Sequence, residues 1–186
     1  MRLDRSIIPN SITAIRLVGS VCLFFVEPFS KLFFIVYTIC GISDVVDGAV
    51  ARLLDSETDF GAKLDSVSDM TFYAVMILRI FPMLLDDLPL AVWIFAVSVA
   101  LLRISSYLVA AIKYHRFASI HSYGNKLTGA AVFLIPYLGS LFSLTAVCSV
   151  VCIVAFLATV EELTIHIISA SYDPNMKSIL MFLPKK

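Results

Sequence analysis

The chain has 186 residues, 60% of them apolar and only 15% charged, a balance far from that of a soluble globule. Fourteen Lys and Arg offset fourteen Asp and Glu, and the basic residues form no continuous stripe that would follow phosphates, which excludes a nucleic-acid binder. Cys22, Cys40, Cys148 and Cys152 all lie in apolar runs; they suggest neither a disulfide framework nor a zinc site and read as small buried hydrophobes.

A membrane-crossing helix needs about 20 predominantly apolar residues, and this chain has room for several. The first predicted span is 10–27. It follows the polar start MRLDRSIIPN, and no small-residue cleavage site comes after it, so it is expected to remain as a membrane helix. Glu27-Pro28 then breaks the pattern before a second span at 31–52. The polar stretch Asp55–Asp59 separates this from a third at 62–85, and Asp86-Asp87-Leu88-Pro89 leads into a fourth at 89–113. A basic segment from Lys113 to Lys126 precedes the fifth span, 126–142, and a short Ser/Leu/Phe turn precedes the sixth, 145–168. Residues 169–186 read as a short tail, and the whole of 1–186 as a single all-α membrane domain of six transmembrane helices.

Positive residues near span ends are retained on the cytoplasmic side. Arg2, Arg5, Arg52, Lys63, Lys113, Arg116, Lys126, Lys177, Lys185 and Lys186 all fall in the N-terminus, the second and fourth loops, or the tail. The opposite loops hold only Lys31, with Arg79 nearby, and the third is acidic. Both termini are therefore expected in the cytoplasm. The small size and the lack of a targeting extension suit a bacterial inner membrane.

Four aspartates stand out. A charge inside a span costs at least about 2.5–3.5 kcal/mol, so such residues are rare unless they line a cavity or bind something. Asp44 and Asp47 are three residues apart and Asp65 and Asp69 four apart, so each pair shares one helix face. The second and third spans are joined by a short loop, which makes them antiparallel neighbours able to bring the four carboxylates together. Converging acids without nearby cations repel, and a divalent ion resolves this. The all-oxygen set points to Mg²⁺ or Mn²⁺, with room for two ions and a phosphate-bearing substrate. Small residues at Gly48, Ala51 and Gly61 let a ligand approach the backbone, and Arg52 is positioned for an aspartate or a diphosphate. On spacing alone, a structural polar network or a cation or proton pathway stands beside an enzyme.

Together, DVVDGAVAR, eight residues, and GAKLDSVSD resemble the signature of the CDP-alcohol phosphatidyltransferase family, DxxDGxxAR, eight residues, GxxxDxxxD. Every fixed position is present: Asp44, Asp47, Gly48, Ala51, Arg52, Gly61, Asp65 and Asp69. The resemblance implies metal ligation by Asp44, Asp47, Asp65 and Asp69, with Asp69 also the general base. It implies nucleotide binding by Asp47, Gly48, Ala51, Arg52, Gly61 and Asp65. The donor would be CDP-diacylglycerol, the acceptor a small polar alcohol, the product a phospholipid with release of CMP, and the protein a homodimer with its active site facing the cytoplasm.

The opening Pro9-Asn10, Thr13 and Arg16 resemble the PNxxTxxR start of phosphatidylglycerophosphate synthases, whereas Ser66-Val67-Ser68 looks more like serine or inositol enzymes. Arg16, Arg103 and Lys126 are the candidate cations for an anionic acceptor, which favours glycerol 3-phosphate over serine, inositol or inositol phosphate. Arg103 reads equally as the partner of a buried acid, Glu161 or Glu162. His115, His121 and His166 are expected at the surface or snorkelling, and the aromatic residues, fourteen Phe among them, as lipid-facing bulk.

Overall fold

The structure is a computed structural model and describes residues 6–56, 58–115, 120, 122–169, 172 and 176–182. Arg2, Arg5, Arg116, His121, Lys185 and Lys186 lie outside this set. The described residues form six α-helices and a short 3₁₀ helix: α1 (Ile7–Phe25), α2 (Lys31–Leu53), α3 (Asp59–Asp87), α4 (Leu90–Tyr114), α5 (Tyr123–Leu141), α6 (Leu144–Ile168), and the 3₁₀ turn Ile179–Phe182. Five of the six α-helices are long and apolar enough to cross a membrane. The exception is α5, where Asn125, Lys126, Gly129, Pro136 and Gly139 dilute the apolar run; against six expected spans, the described residues form six long helices of which five are apolar enough to cross.

Local chemistry explains the helix ends. Pro9 sits in the first turn of α1, where its missing N–H would be unpaired anyway. Ser30 caps α2 by accepting from the N–H of Phe33 at 3.1 Å, and Thr58 receives the N–H of Gly61 at 3.0 Å at the start of α3. With Asp59 already helical, α3 begins three residues before the expected 62. At the other end α2 stops where Asp55 turns left-handed at φ 48°, and α4 stops likewise at His115, φ 56°.

The chain forms two compact units, Met1–Asp86 and Asp87–Lys186. In both, the usual arrangement is inverted: Phe25, Leu53 and Leu90 are 79%, 84% and 74% exposed, while Arg16 and Glu162 are 2% and 0% exposed. Apolar groups outside and charges inside are stable only where the surroundings are hydrocarbon.

In the first unit α1 packs closely on α2. Gly19 permits this approach, because a side chain there would meet Cys40 Sγ at 2.8 Å. Helix α3 is tied to this pair by side chains. Tyr37 stacks between Phe33 and Phe72 at ring distances of 5.5 Å, and Arg79 Nη2 donates to the Val26 carbonyl at 3.0 Å, closing the end of α1. Phe33 and Tyr37 are therefore core residues and not lipid-facing bulk, because this stack fills the gap beside α3. Cys40 and Cys148 are buried as expected, but Cys22 is exposed.

In the second unit α6 packs against both α4 and α5. Glu162, fully buried, accepts from the Ile120 N–H at 3.0 Å and Asn125 Nδ2 at 2.9 Å and forms an ion pair with Arg103. Asn125 in turn accepts from Arg103 at 2.8 Å. Lys113 Nζ donates to the carbonyls of His166 and Ile167 at 2.9 and 2.6 Å, satisfying the open C-terminus of α6. His166 is not a surface residue: it is 0% exposed, one turn after Glu162 on the same face. The described part of the tail folds back onto this unit, where Ser178 Oγ and the Ile179 N–H both donate to Glu161.

Candidate active site

The four aspartates do converge. Asp44, Asp47 and Asp65 each offer a carboxylate oxygen within 4.8 Å of the others. Asp69 lies one turn beyond Asp65 on α3, outside this tightest trio. Asp47 is buried, with a side chain 6% exposed, whereas those of Asp44, Asp65 and Asp69 are 55%, 48% and 44% exposed. The cluster is thus closed on one side and open on the other.

The closed side is α1. Asn10, Thr13 and Arg16 recur every three residues and share one face of that helix. A side-chain carbon at Gly61 would sit 2.9 Å from Asn10 Oδ1, so glycine lets the start of α3 approach α1. Thr13 Oγ1 donates to Asp47 Oδ2 at 2.7 Å. Arg16 reaches all four acids: its Nη atoms hydrogen-bond Asp44 and Asp65 and lie 3.2 Å from Asp69 and 3.5 Å from Asp47. Its Nε donates to Ser68 Oγ at 3.0 Å.

The cation that meets these acids is Arg16 from α1, in place of the Arg52 that the sequence offered as an aspartate partner. The polar period of α1 was visible in the sequence, but not the helices it would face. Four carboxylates against one guanidinium still leave three formal negative charges uncompensated, in surroundings where charge is costly.

The donor set fits a hard divalent ion. The closest contacts of Arg16 are to Oδ1 of Asp44, Asp65 and Asp69 and Oδ2 of Asp47, so a bound ion and the guanidinium would share one set of carboxylates. One carboxylate oxygen from each of Asp44, Asp47 and Asp65 lies within 4.8 Å of the others, against ~4.2 Å between opposite ligands of Mg²⁺ at ~2.1 Å, so a small closure of the trio would seat the ion.

The other signature residues lie around this cluster. Gly48 follows Asp47, and Ala51 and Arg52 lie one turn on, at the exposed end of α2. Among the described residues, a methyl group built on Gly48 would meet only the Arg52 guanidinium, at 3.6 and 3.8 Å, which is ordinary contact. Packing among the described residues does not require glycine at 48. Of the candidate acceptor cations, Arg16 lies in the aspartate cluster and Arg103 is paired with Glu162, whereas Lys126, in the first turn of α5, is exposed.

No curated protein matches this chain, and no solved structure does. The family model described as CDP-alcohol phosphatidyltransferase matches residues 6–161, running from the α1 motif through the aspartates into α6. With the signature assembled in space and the match covering most of the sequence, the chain belongs to the CDP-alcohol phosphatidyltransferase family, whose members are transferases of substituted phosphate groups.

Proposed function

We propose that this protein transfers the phosphatidyl group of CDP-diacylglycerol to a small polar alcohol in a six-span membrane domain, releasing CMP, with glycerol 3-phosphate as the favoured acceptor. The observation that carries the reading is the convergence of Asp44, Asp47, Asp65 and Asp69 on one open-faced point. One or two Mg²⁺ or Mn²⁺ ions held by these residues would neutralise the diphosphate and the charge developing on the leaving CMP.

Asp44, Asp47 and Asp65 would chiefly hold the metal in this reading, with Asp69 also facing it. Asp69, beside the trio and half-exposed, takes the proton of the acceptor hydroxyl as its oxygen attacks the phosphorus bearing the lipid. Gly48, Ala51, Arg52 and Gly61 seat the nucleotide. The open space at Gly48 supports this, because packing among the described residues makes no use of it. Lys126 supports an anionic acceptor through its exposed charge, and serine, inositol and inositol phosphate are the competing alcohols. The family resemblance implies a homodimer, and the distribution of Lys and Arg favours both termini and the active site on the cytoplasmic side of an inner membrane.

The decisive experiment offers purified protein CDP-diacylglycerol, Mg²⁺ or Mn²⁺, and each alcohol in turn, and measures CMP and lipid product. Metal-dependent CMP release with glycerol 3-phosphate is expected to exceed that with the other alcohols. Metal flux into liposomes without CMP release would overturn the reading.

Gly48→Ala separates packing from ligand binding. The variant is expected to keep or slightly raise the thermal midpoint, since alanine gains up to about 1 kcal/mol over glycine inside a helix. It should nevertheless raise KM for CDP-diacylglycerol about tenfold. A lowered midpoint with unchanged KM would show that the glycine serves packing instead.

A further inference from the structure

Arg16 forms ion pairs with four aspartates and is almost fully buried. Its fork spans α2 and α3: one edge meets Asp44 and Asp69, the other Asp65 and Asp47. Its Nε is held by Ser68, whose hydroxyl donates in turn to the Thr13 carbonyl at 3.4 Å, so the guanidinium is fixed in orientation as well as position. A planar group with five donors is suited to bridging several carboxylates, which a compact ammonium is not.

We propose that Arg16 is a built-in counter-cation that keeps the acidic cluster assembled when no metal is bound, and that a divalent ion binds in competition with it. Arg16 thereby sets the metal concentration at which the site fills. The physical reason is that both cations draw on the same four carboxylates. The guanidinium supplies one positive charge where four negative ones meet, enough to hold α2 and α3 to α1 but too little to satisfy the acids. With a divalent ion on the open side, the guanidinium would be repelled and would lose its hold on the carboxylates, while Ser68 would retain the side chain at the edge of the site. Arg16 is thus a positioning residue for the metal ligands.

The inference rests on the metal reading above, and direct metal binding distinguishes the two. Mn²⁺ binding to the full chain in detergent is measured from the electron paramagnetic resonance of free Mn²⁺, for the wild type, Arg16→Gln and Arg16→Lys. Competition predicts that Arg16→Gln binds Mn²⁺ more tightly, by about 5- to 150-fold, the usual range for coupling between two ligands. Arg16→Lys should fall between it and the wild type. Arg16→Gln should also melt at a lower temperature in EDTA and recover when Mn²⁺ is added.

A purely structural arginine predicts the opposite sign, because carboxylates left to splay apart would bind the ion more weakly. Equal or weaker Mn²⁺ binding by Arg16→Gln, with binding by the wild type intact, overturns the competition alone. Absence of Mn²⁺ binding in every variant overturns the metal reading and the competition with it. If neither variant folds, the wild type suffices: Mg²⁺ titration should shift the ¹⁵N resonances of the Arg16 guanidinium, and resonances that stay unmoved at saturating Mg²⁺ overturn the proposal.

Discussion

Asp69→Asn is expected to abolish CMP release, by about 10²- to 10⁴-fold in kcat, while leaving the helices and metal binding in place. Asparagine keeps the shape of the side chain and an oxygen that accepts from Arg16, so the 3.2 Å contact across the cluster survives. What it cannot do is accept a proton from the acceptor hydroxyl. Removing one of four like charges also lowers the repulsion within the cluster, so the thermal midpoint should hold or rise. The trio Asp44, Asp47 and Asp65 is untouched, and Mn²⁺ binding should fall by no more than a few-fold. Turnover near wild-type level would place the base elsewhere. Loss of turnover together with loss of Mn²⁺ binding would make Asp69 a metal ligand first.

Glu162→Ala is expected to destabilise the protein more than any change on the outer helix faces. Glu162 is fully buried, and its carboxylate serves three donors: the Arg103 guanidinium, the Asn125 amide and the Ile120 N–H. Removing one partner of a buried ion pair leaves the other charge uncompensated, at a cost of about 3–5 kcal/mol. Part of that loss falls on the entry to α5, because Asn125 also donates to the Ile120 carbonyl at 2.7 Å. Replacing both charges, Arg103→Leu with Glu162→Leu, should recover part of the stability, since an apolar pair leaves no stranded charge. Thermal midpoints of the purified variants in one detergent check this. A double variant less stable than either single change would show that the ion pair is itself stabilising.

Much of the architecture could be read from local pattern. Helix α2 begins at the predicted Lys31 and ends one residue beyond the predicted 52, and α6 spans Leu144–Ile168 against an expected 145–168, because an apolar run bounded by turn-forming residues is a local property. The start of α3 was harder to place, since Asp59 and Phe60 continue the helix into a stretch that composition alone assigns to a loop. The roles of the aromatic residues were not legible either. Phe33 and the exposed Phe25 belong to the same class of residue, and it is Phe29 beside Phe33 and Phe72 from α3 against Tyr37 that make their surroundings a core.

The sequence by itself determined that the chain is helical, apolar and interrupted by acids in pairs. It also determined which face of its helix each pair shares, because a spacing of three or four residues fixes direction around a helix whatever surrounds it. Tertiary structure alone decided what those acids meet. Arg16 lies 28 residues from Asp44 and 49 from Asp65, and Arg103 lies 59 from Glu162. Helical period carries no information over such separations. A cation joins an acid across the chain only when helix packing brings their faces together, and inside an apolar protein the cost of leaving either one alone holds them there.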